Sequence, residues 1–163
     1  MDGITTRVAV ALGSNLGDRE ATLRAALAAL TPFIHNPRVS SLHETAYVGT
    51  EVQPAVLNGA LVGETVLEPH PLLERLLEIE QTFGRTRPYG GAPRTLDLDL
   101  ILFGDSVIDE PGLIVPHPRF RERRFVLEPL AEVAGDWIDP VTGRTIAALR
   151  EALGDEHGRH RPD

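Results

Sequence analysis

The chain has 163 residues, of which 42% are apolar and 25% charged, with no cysteine and a formal net charge of −8. That length suits one compact domain with a real core, the missing cysteines exclude disulfide and thiolate chemistry, and no stretch reaches the roughly 20 apolar residues needed to cross a bilayer. The acidic balance argues against nucleic-acid or anionic-membrane partners, no signal-peptide pattern opens the chain, and a cytoplasmic protein with no obligate protein partner is expected.

Arg7 to Leu12 (RVAVAL) predicts a short central strand, closed by a turn from Gly13 to Asp18. Asp18 is placed to cap the next helix, whose apolar stripe is Leu23, Ala26, Leu27 and Leu30. Pro32 to Pro37 breaks that helix, Arg38 to Thr45 predicts a second strand, and a loop follows to Pro54. Val56 to Val66 alternates as a third strand, with Val56, Asn58, Ala60 and Val62 on one face and Leu57, Gly59, Leu61 and Gly63 on the other. Pro71 suits the first turn of a second helix with the stripe Leu72, Leu73, Leu76, Leu77, Ile79 and Phe83, ended by Gly84.

A loop rich in glycine, proline and arginine then leads into Arg94 to Phe103 (RTLDLDLILF), a fourth strand. The order strand, helix, strand, strand, helix, strand predicts an α+β fold with a ferredoxin-like βαββαβ core. Further helices are predicted over 125–133 and 146–153, and a frayed polar tail over 154–163. No repeat or linker divides the chain, so a single domain over 1–163 is expected.

The fourth strand carries the chemistry. Asp97 and Asp99 are two residues apart, so in a strand they share one face, roughly 6.6 Å apart along the backbone. Leu96, Leu98, Leu100 and Leu102 are predicted on the other face, with Ile101 and Phe103 continuing the aspartate face. At an effective dielectric of about 20, two such charges repel by roughly 2.5 kcal/mol. A divalent cation relieves that repulsion; a solvated edge strand is the plainer reading of the same alternation.

The arginines favour an anion beside that cation. All 16 basic residues are arginine, which excludes a lysine-dependent phosphate loop or Schiff base. Arg85, Arg87 and Arg94 lie in the loop before the aspartates, and Arg119, Arg121, Arg123 and Arg124 follow them. Guanidinium forks match phosphate, and a loop of this composition can close over a polyphosphate. His117, between two prolines, is a better phosphate contact than metal ligand beside hard carboxylates. Glu80 falls on or at the edge of the apolar stripe of the second helix, and the amide of Asn58 needs partners on an apolar strand face, either local backbone or a heterocycle.

Taken in order, these segments resemble the 6-hydroxymethyl-7,8-dihydropterin pyrophosphokinase family of folate biosynthesis. The resemblance runs from about residue 7 to 140 and is strongest over GRTRPYGGAPRTLDLDLILFGD at 84–105, supported by ALGSNLGD at 11–18, QPAVLN at 53–58 and VPHPRFRERRFVLEPL at 115–130. It implies a single catalytic domain that transfers the terminal diphosphate of ATP to the hydroxymethyl group of a reduced pterin and releases AMP. By that resemblance Asp97 and Asp99 would hold two Mg²⁺ ions, Arg85 and Arg94 would join them in catalysis, and Arg85, Arg94, His117 and Arg123 would contact the polyphosphate. Glu80, Arg87 and the backbones of Leu100 and Ile114 would lie at the nucleotide, and Thr45, Val48, Asn58 and Phe125 would form the pterin pocket.

Two positions depart from the family's usual pattern: Val56 stands where an aromatic residue is usual, and Gly90-Gly91-Ala92 where the loop usually carries tryptophan, with Tyr89 as a candidate closing aromatic. Read from the residues alone, two other functions keep the same features: a different two-metal nucleotidyltransferase, and a ferredoxin-like module that binds a ligand without chemistry.

Overall fold

The computed structural model describes residues 4–14, 18–45, 56–84 and 96–153. At its centre lies β1 (Thr6–Ser14), paired antiparallel with β4 (Val56–Thr65) from Thr6↔Thr65 to Ser14↔Leu57, and on its other side with β5 (Asp97–Phe103). The sheet order is β2 (His35–Val39), β4, β1, β5, and β3 (His43–Thr45) also pairs with β4.

The alternation in RVAVAL divides the molecule into layers. Val8, Val10 and Leu12 face α1 (Arg19–Leu30) and α2 (Pro69–Gly84), packing with Leu23, Ala26, Leu30, Leu72, Leu76 and Ile79. Ala9 and Ala11 face α3 (Arg124–Ala134) and α4 (Ile146–Leu153), packing with Val126, Leu127, Leu130, Ile146 and Leu149. A fully buried leucine or valine contributes about 1.5–3 kcal/mol, so both layers hold the sheet. The small residues on the second face have a further effect: they leave a shallow floor where β1 runs out toward Gly13. No helix among the described residues is long and apolar enough to cross a membrane.

Most predicted elements stand. Asp18 caps α1, its Oδ1 accepting the Ala21 N–H at 3.1 Å, and α2 ends at Gly84. Four details are corrected. The expected single strand from Arg38 to Thr45 is two strands and begins at His35. The register with β4 shifts between His35 and Arg38, where Asn36 has φ of 51°, and Ser40 breaks the ladder by accepting the Ala60 N–H on its side-chain oxygen. On α2, Leu72, Leu76 and Ile79 are buried, but Leu77 is 50% and Phe83 37% exposed and Leu73 only half-buried. The inward stripe is therefore narrower than the leucine run suggested.

The third correction concerns β5. Val10 pairs with Leu100 but Ala9 with Leu102, leaving Ile101 as an extra residue, which is a β-bulge. It reverses the alternation beyond it: Ile101 and Leu102 join the α3–α4 layer, and Phe103 the α1–α2 layer. Leu102 and Phe103 thus exchange their predicted faces. The fourth is a hairpin, β6 (Ile108–Glu110) with β7 (Leu113–Val115), in a stretch for which no strand was predicted. Its turn is Pro111-Gly112, and the φ of 82° at Gly112 is that of the third residue of a type II turn, for which proline then glycine is the sequence signal.

Candidate active site

At the end of the sheet that Gly13 reaches, three strands carry one row of residues: Asn58 on β4 pairs with Gly13 on β1, which pairs with Asp97 on β5. The next row is Ala60, Ala11 and Asp99. Both rows face α3, because Leu98 and Leu100 take the opposite face. Strands lie about 4.8 Å apart, so a floor about 10 Å wide separates the Asn58 amide from the aspartates. Gly13 keeps that floor bare: a Cβ there would lie 3.3 Å from Asn58 Oδ1 and 3.6 Å from Val56 Cγ1.

Asp97 is exposed and Asp99 half-buried, so β5 emerges from the core at its charged end. These are hard oxygen donors, and no group of three or more acidic, histidine or cysteine side chains that could hold a metal occurs among the described residues. Two carboxylates with the remaining positions left to water and phosphate oxygens fit Mg²⁺, which keeps much of its hydration and takes only one or two protein carboxylates. They do not fit a closed structural zinc site, which needs four ligands.

Glu80 reaches this end of β5 from α2. Its Oε2 accepts the Leu98 N–H at 2.6 Å, so its half-buried place at the stripe's edge serves the backbone between the two aspartates. A charge-assisted bond of this kind is about twice as strong as a neutral one.

Across the floor, Asn58 is buried and its orientation is fixed by its neighbours. Its Nδ2 donates to Thr45 Oγ1, to the Val56 carbonyl at 3.3 Å and toward the His43 carbonyl at 3.5 Å. Carbonyls only accept, so the NH₂ must lie on that side. Asn58 Oδ1 therefore faces Gly13 and the floor as an acceptor. Thr45 reaches this network through its register with Val56. Phe125, half-buried in the first turn of α3, packs against the second core layer, and the Arg123 guanidinium stands 5.6 Å from its ring centre.

The segment after β7 lies along the outer edge of β5. The His117 N–H donates to the Ile101 carbonyl, the bulge residue, at 3.1 Å. The ring's Nδ1 accepts the Arg119 N–H at 3.1 Å, so the neutral ring carries its proton on Nε2. Burial, then the charges of Arg123 and Arg119, lowers its pKa to about 4. Arg123 sits at the N-cap of α3 with extended backbone. Two of the four arginines expected together here are committed elsewhere: Arg124 pairs with Glu128, and Arg121 makes a two-pronged bond to Asp139 at 2.6 and 3.0 Å. Asp139 is fully buried. Burial would raise its pKa, but the bonds from Arg121, Thr142 and the Val141 N–H prevail and lower it to about 2.

Leu100 is buried opposite Val10, and Ile114 is exposed on β7. Val48, Arg85, Arg87, Arg94 and Tyr89 lie outside the described residues. The bond from Leu98 to Glu80 and the bulge at Ile101 were not foreseen. Only the polar interruption of the apolar stripe at residue 80 signalled the first.

A family model described as 7,8-dihydro-6-hydroxymethylpterin-pyrophosphokinase (HPPK) matches residues 9–135. The chain is 45% identical over 146 residues to a Synechocystis protein named 2-amino-4-hydroxy-6-hydroxymethyldihydropteridine pyrophosphokinase, covering 88% of this chain and 74% of that protein. Proteins of the same name from Bacillus subtilis and Pseudomonas aeruginosa are 50% identical over 126 residues and 44% identical over 148, covering 76% and 90% of this chain and 75% and 91% of theirs. The crystal structure of Plasmodium falciparum HPPK-DHPS wild type shares the fold, with a TM-score of 0.74 at 14% identity over 93% of this chain, which spans 45% of that longer one.

Proposed function

The chain belongs to the 7,8-dihydro-6-hydroxymethylpterin-pyrophosphokinase family, and from that premise we propose that it transfers a diphosphate from ATP to the hydroxymethyl group of 6-hydroxymethyl-7,8-dihydropterin, releasing AMP, in folate biosynthesis. The observation that carries this reading is the row Asn58–Gly13–Asp97, a hydrogen-bond acceptor and a carboxylate at opposite ends of a bare floor. We read the core, with β4 between β1 and β2 in space, as ferredoxin-like, one catalytic domain over 1–163 acting in the cytoplasm.

In this reading the pterin lies at the Asn58 end and the polyphosphate at the aspartate end. Asn58 Oδ1 accepts an N–H from the pterin edge, and Phe125 stacks on its flat ring. Thr45 holds the amide in that orientation, and Val48, through its backbone, would join the pterin pocket. Asp97 and Asp99 would hold two Mg²⁺ ions, which would supply charge neutralisation and lower the pKa of the attacking hydroxyl. The hydroxyl oxygen bonds to the β-phosphorus, the bond from that phosphorus to the oxygen bridging to the α-phosphate breaks, AMP leaves with that oxygen, and the hydroxyl proton passes to solvent. Positioning and charge neutralisation dominate such transfers.

His117 donates Nε2–H to the polyphosphate as a neutral group. Arg85, Arg94 and Arg123 supply the positive charge, with Arg94 and Arg85 acting on the transition state. Arg87, Glu80 and the Leu100 and Ile114 backbones lie at the nucleotide, Glu80 by holding β5. Incubation with ATP, Mg²⁺ and the hydroxymethyl pterin, followed by chromatography of the nucleotides, tests this. AMP formed only with pterin present supports it, pyrophosphate release would indicate nucleotidyl transfer, and unchanged ATP would indicate a binding module.

A further inference from the structure

The break between β2 and β3 is gripped from outside the sheet. Ser40 stays beside β4, its N–H on the Ala60 carbonyl and its Oγ accepting the Ala60 N–H, each at 2.9 Å. Next in the chain is Ser41, whose backbone N–H donates to Glu132 Oε2 on α3 at 2.9 Å. The other oxygen of that carboxylate, Oε1, accepts from Ser41 Oγ at 2.9 Å and from His43 Nε2 at 3.0 Å. Three donors from the strand break thus converge on one helix carboxylate. They hold the Glu132 carboxyl below the usual range, the Ser41 N–H most and the His43 ring next.

The trio is not a nucleophilic relay. Ser41 Oγ and Glu132 meet the same ring nitrogen of His43, whereas a relay needs them on opposite nitrogens. Its geometry serves alignment instead. Glu132 and Phe125 are seven residues apart on α3, hence on one face and about 10 Å apart. Ser41 lies two residues before β3, and His43 and Thr45 are about 6.6 Å apart along that strand. α3 packs on β4, β1 and β3, so the clasp joins helix and strand at one end, with Phe125 at the far end of one arm and Thr45 at the far end of the other. The Asn58 amide hangs on the strand arm, through Thr45 Oγ1 and the His43 carbonyl.

We propose that Glu132 is a positioning residue for the pterin side of the site: by gripping Ser41 and His43 it holds Thr45, and through it the Asn58 amide, in register with Phe125. This rests on the pterin reading above. The Glu132 side chain is 41% exposed, so its removal leaves no buried orphan charge and the fold survives.

Glu132→Ala and Glu132→Gln are compared with the unaltered protein in two ways: KM for each substrate, and amide hydrogen exchange over 41–45 without substrate. In Glu132→Ala, exchange speeds over 41–45, the pterin KM rises about tenfold and the ATP KM stays within about twofold, with Gln intermediate. Unchanged exchange, or an equal rise in both KM values, would overturn the clasp's role. No pterin turnover by the unaltered protein would overturn the functional reading and this role with it, a failure visible before any variant is made.

Discussion

Glu80 on α2 accepts the backbone N–H of Leu98 at 2.6 Å, the residue between Asp97 and Asp99. A carboxylate of the helix layer thus holds one of the two peptide groups that lie between the aspartates. Glu80→Ala is expected to lower stability by about 1–2 kcal/mol and to raise the Mg²⁺ concentration needed for half-maximal turnover several-fold. Glu80→Gln, whose amide oxygen can still accept, is expected to lie between. Thermal melts and Mg²⁺ titrations of turnover check both, and an unchanged Mg²⁺ requirement in Glu80→Ala would remove this role.

Gly13→Ala separates stability from function. In a strand alanine is favoured over glycine by roughly 0.5–1 kcal/mol, which offsets the cost of shifting the hydrogen-bonded Asn58 amide, so the variant should melt close to the unaltered protein. Its new Cβ would stand 3.3 Å from Asn58 Oδ1 and displace the acceptor that faces the floor. The pterin KM is expected to rise while the ATP KM holds. A lower melting temperature with an unchanged pterin KM would contradict the bare-floor account.

His117 should titrate far below an ordinary histidine. Its ring pKa is lowered to about 4 by burial and by Arg123 and Arg119, whereas in the unfolded chain it is about 6.5. Because the native ring refuses the proton that the unfolded one takes, its contribution to stability is present above about pH 6.5 and is lost as pH falls toward 4. His117→Gln should flatten the stability profile across that window. A ring-proton NMR midpoint near the ordinary value would refute the assignment.

The Arg121–Asp139 pair acts lower on the pH scale. The Asp139 pKa is lowered to about 2, so its stabilisation is complete above the ordinary carboxylate pKa of about 4 and is lost as pH falls through 2. Asp139→Ala leaves Arg121 without its buried partner and is expected to destabilise by about 3–5 kcal/mol. Denaturant unfolding at neutral pH and at pH 3 measures both effects.

Where the chain alternates regularly, the sequence was a sufficient guide. RVAVAL reported both the centre of the sheet and which face carries the small residues, and Asp18 reported the start of α1. Asp97 and Asp99 stood out because carboxylates interrupt a run of leucines and isoleucine. Illegible features depended on partners distant in the chain. The Ile101 bulge exists because β1 offers one residue fewer than β5 across that stretch, which nothing local to LDLILF records. Ser41 and Glu132 are 91 residues apart, and each alone looks like an ordinary polar surface residue. The split of β2 from β3 follows from the Ser40 hydroxyl replacing a ladder carbonyl, a choice that a run of short polar and apolar residues does not announce.

Which bond of ATP breaks is read directly by ³¹P NMR of the unaltered protein with ATP, Mg²⁺ and 6-hydroxymethyl-7,8-dihydropterin. The three ATP resonances should give way to the single resonance of AMP and the two coupled resonances of a diphosphate ester, in equal amounts. Inorganic pyrophosphate with a nucleotidyl ester, or ADP with a monophosphate ester, would contradict the account.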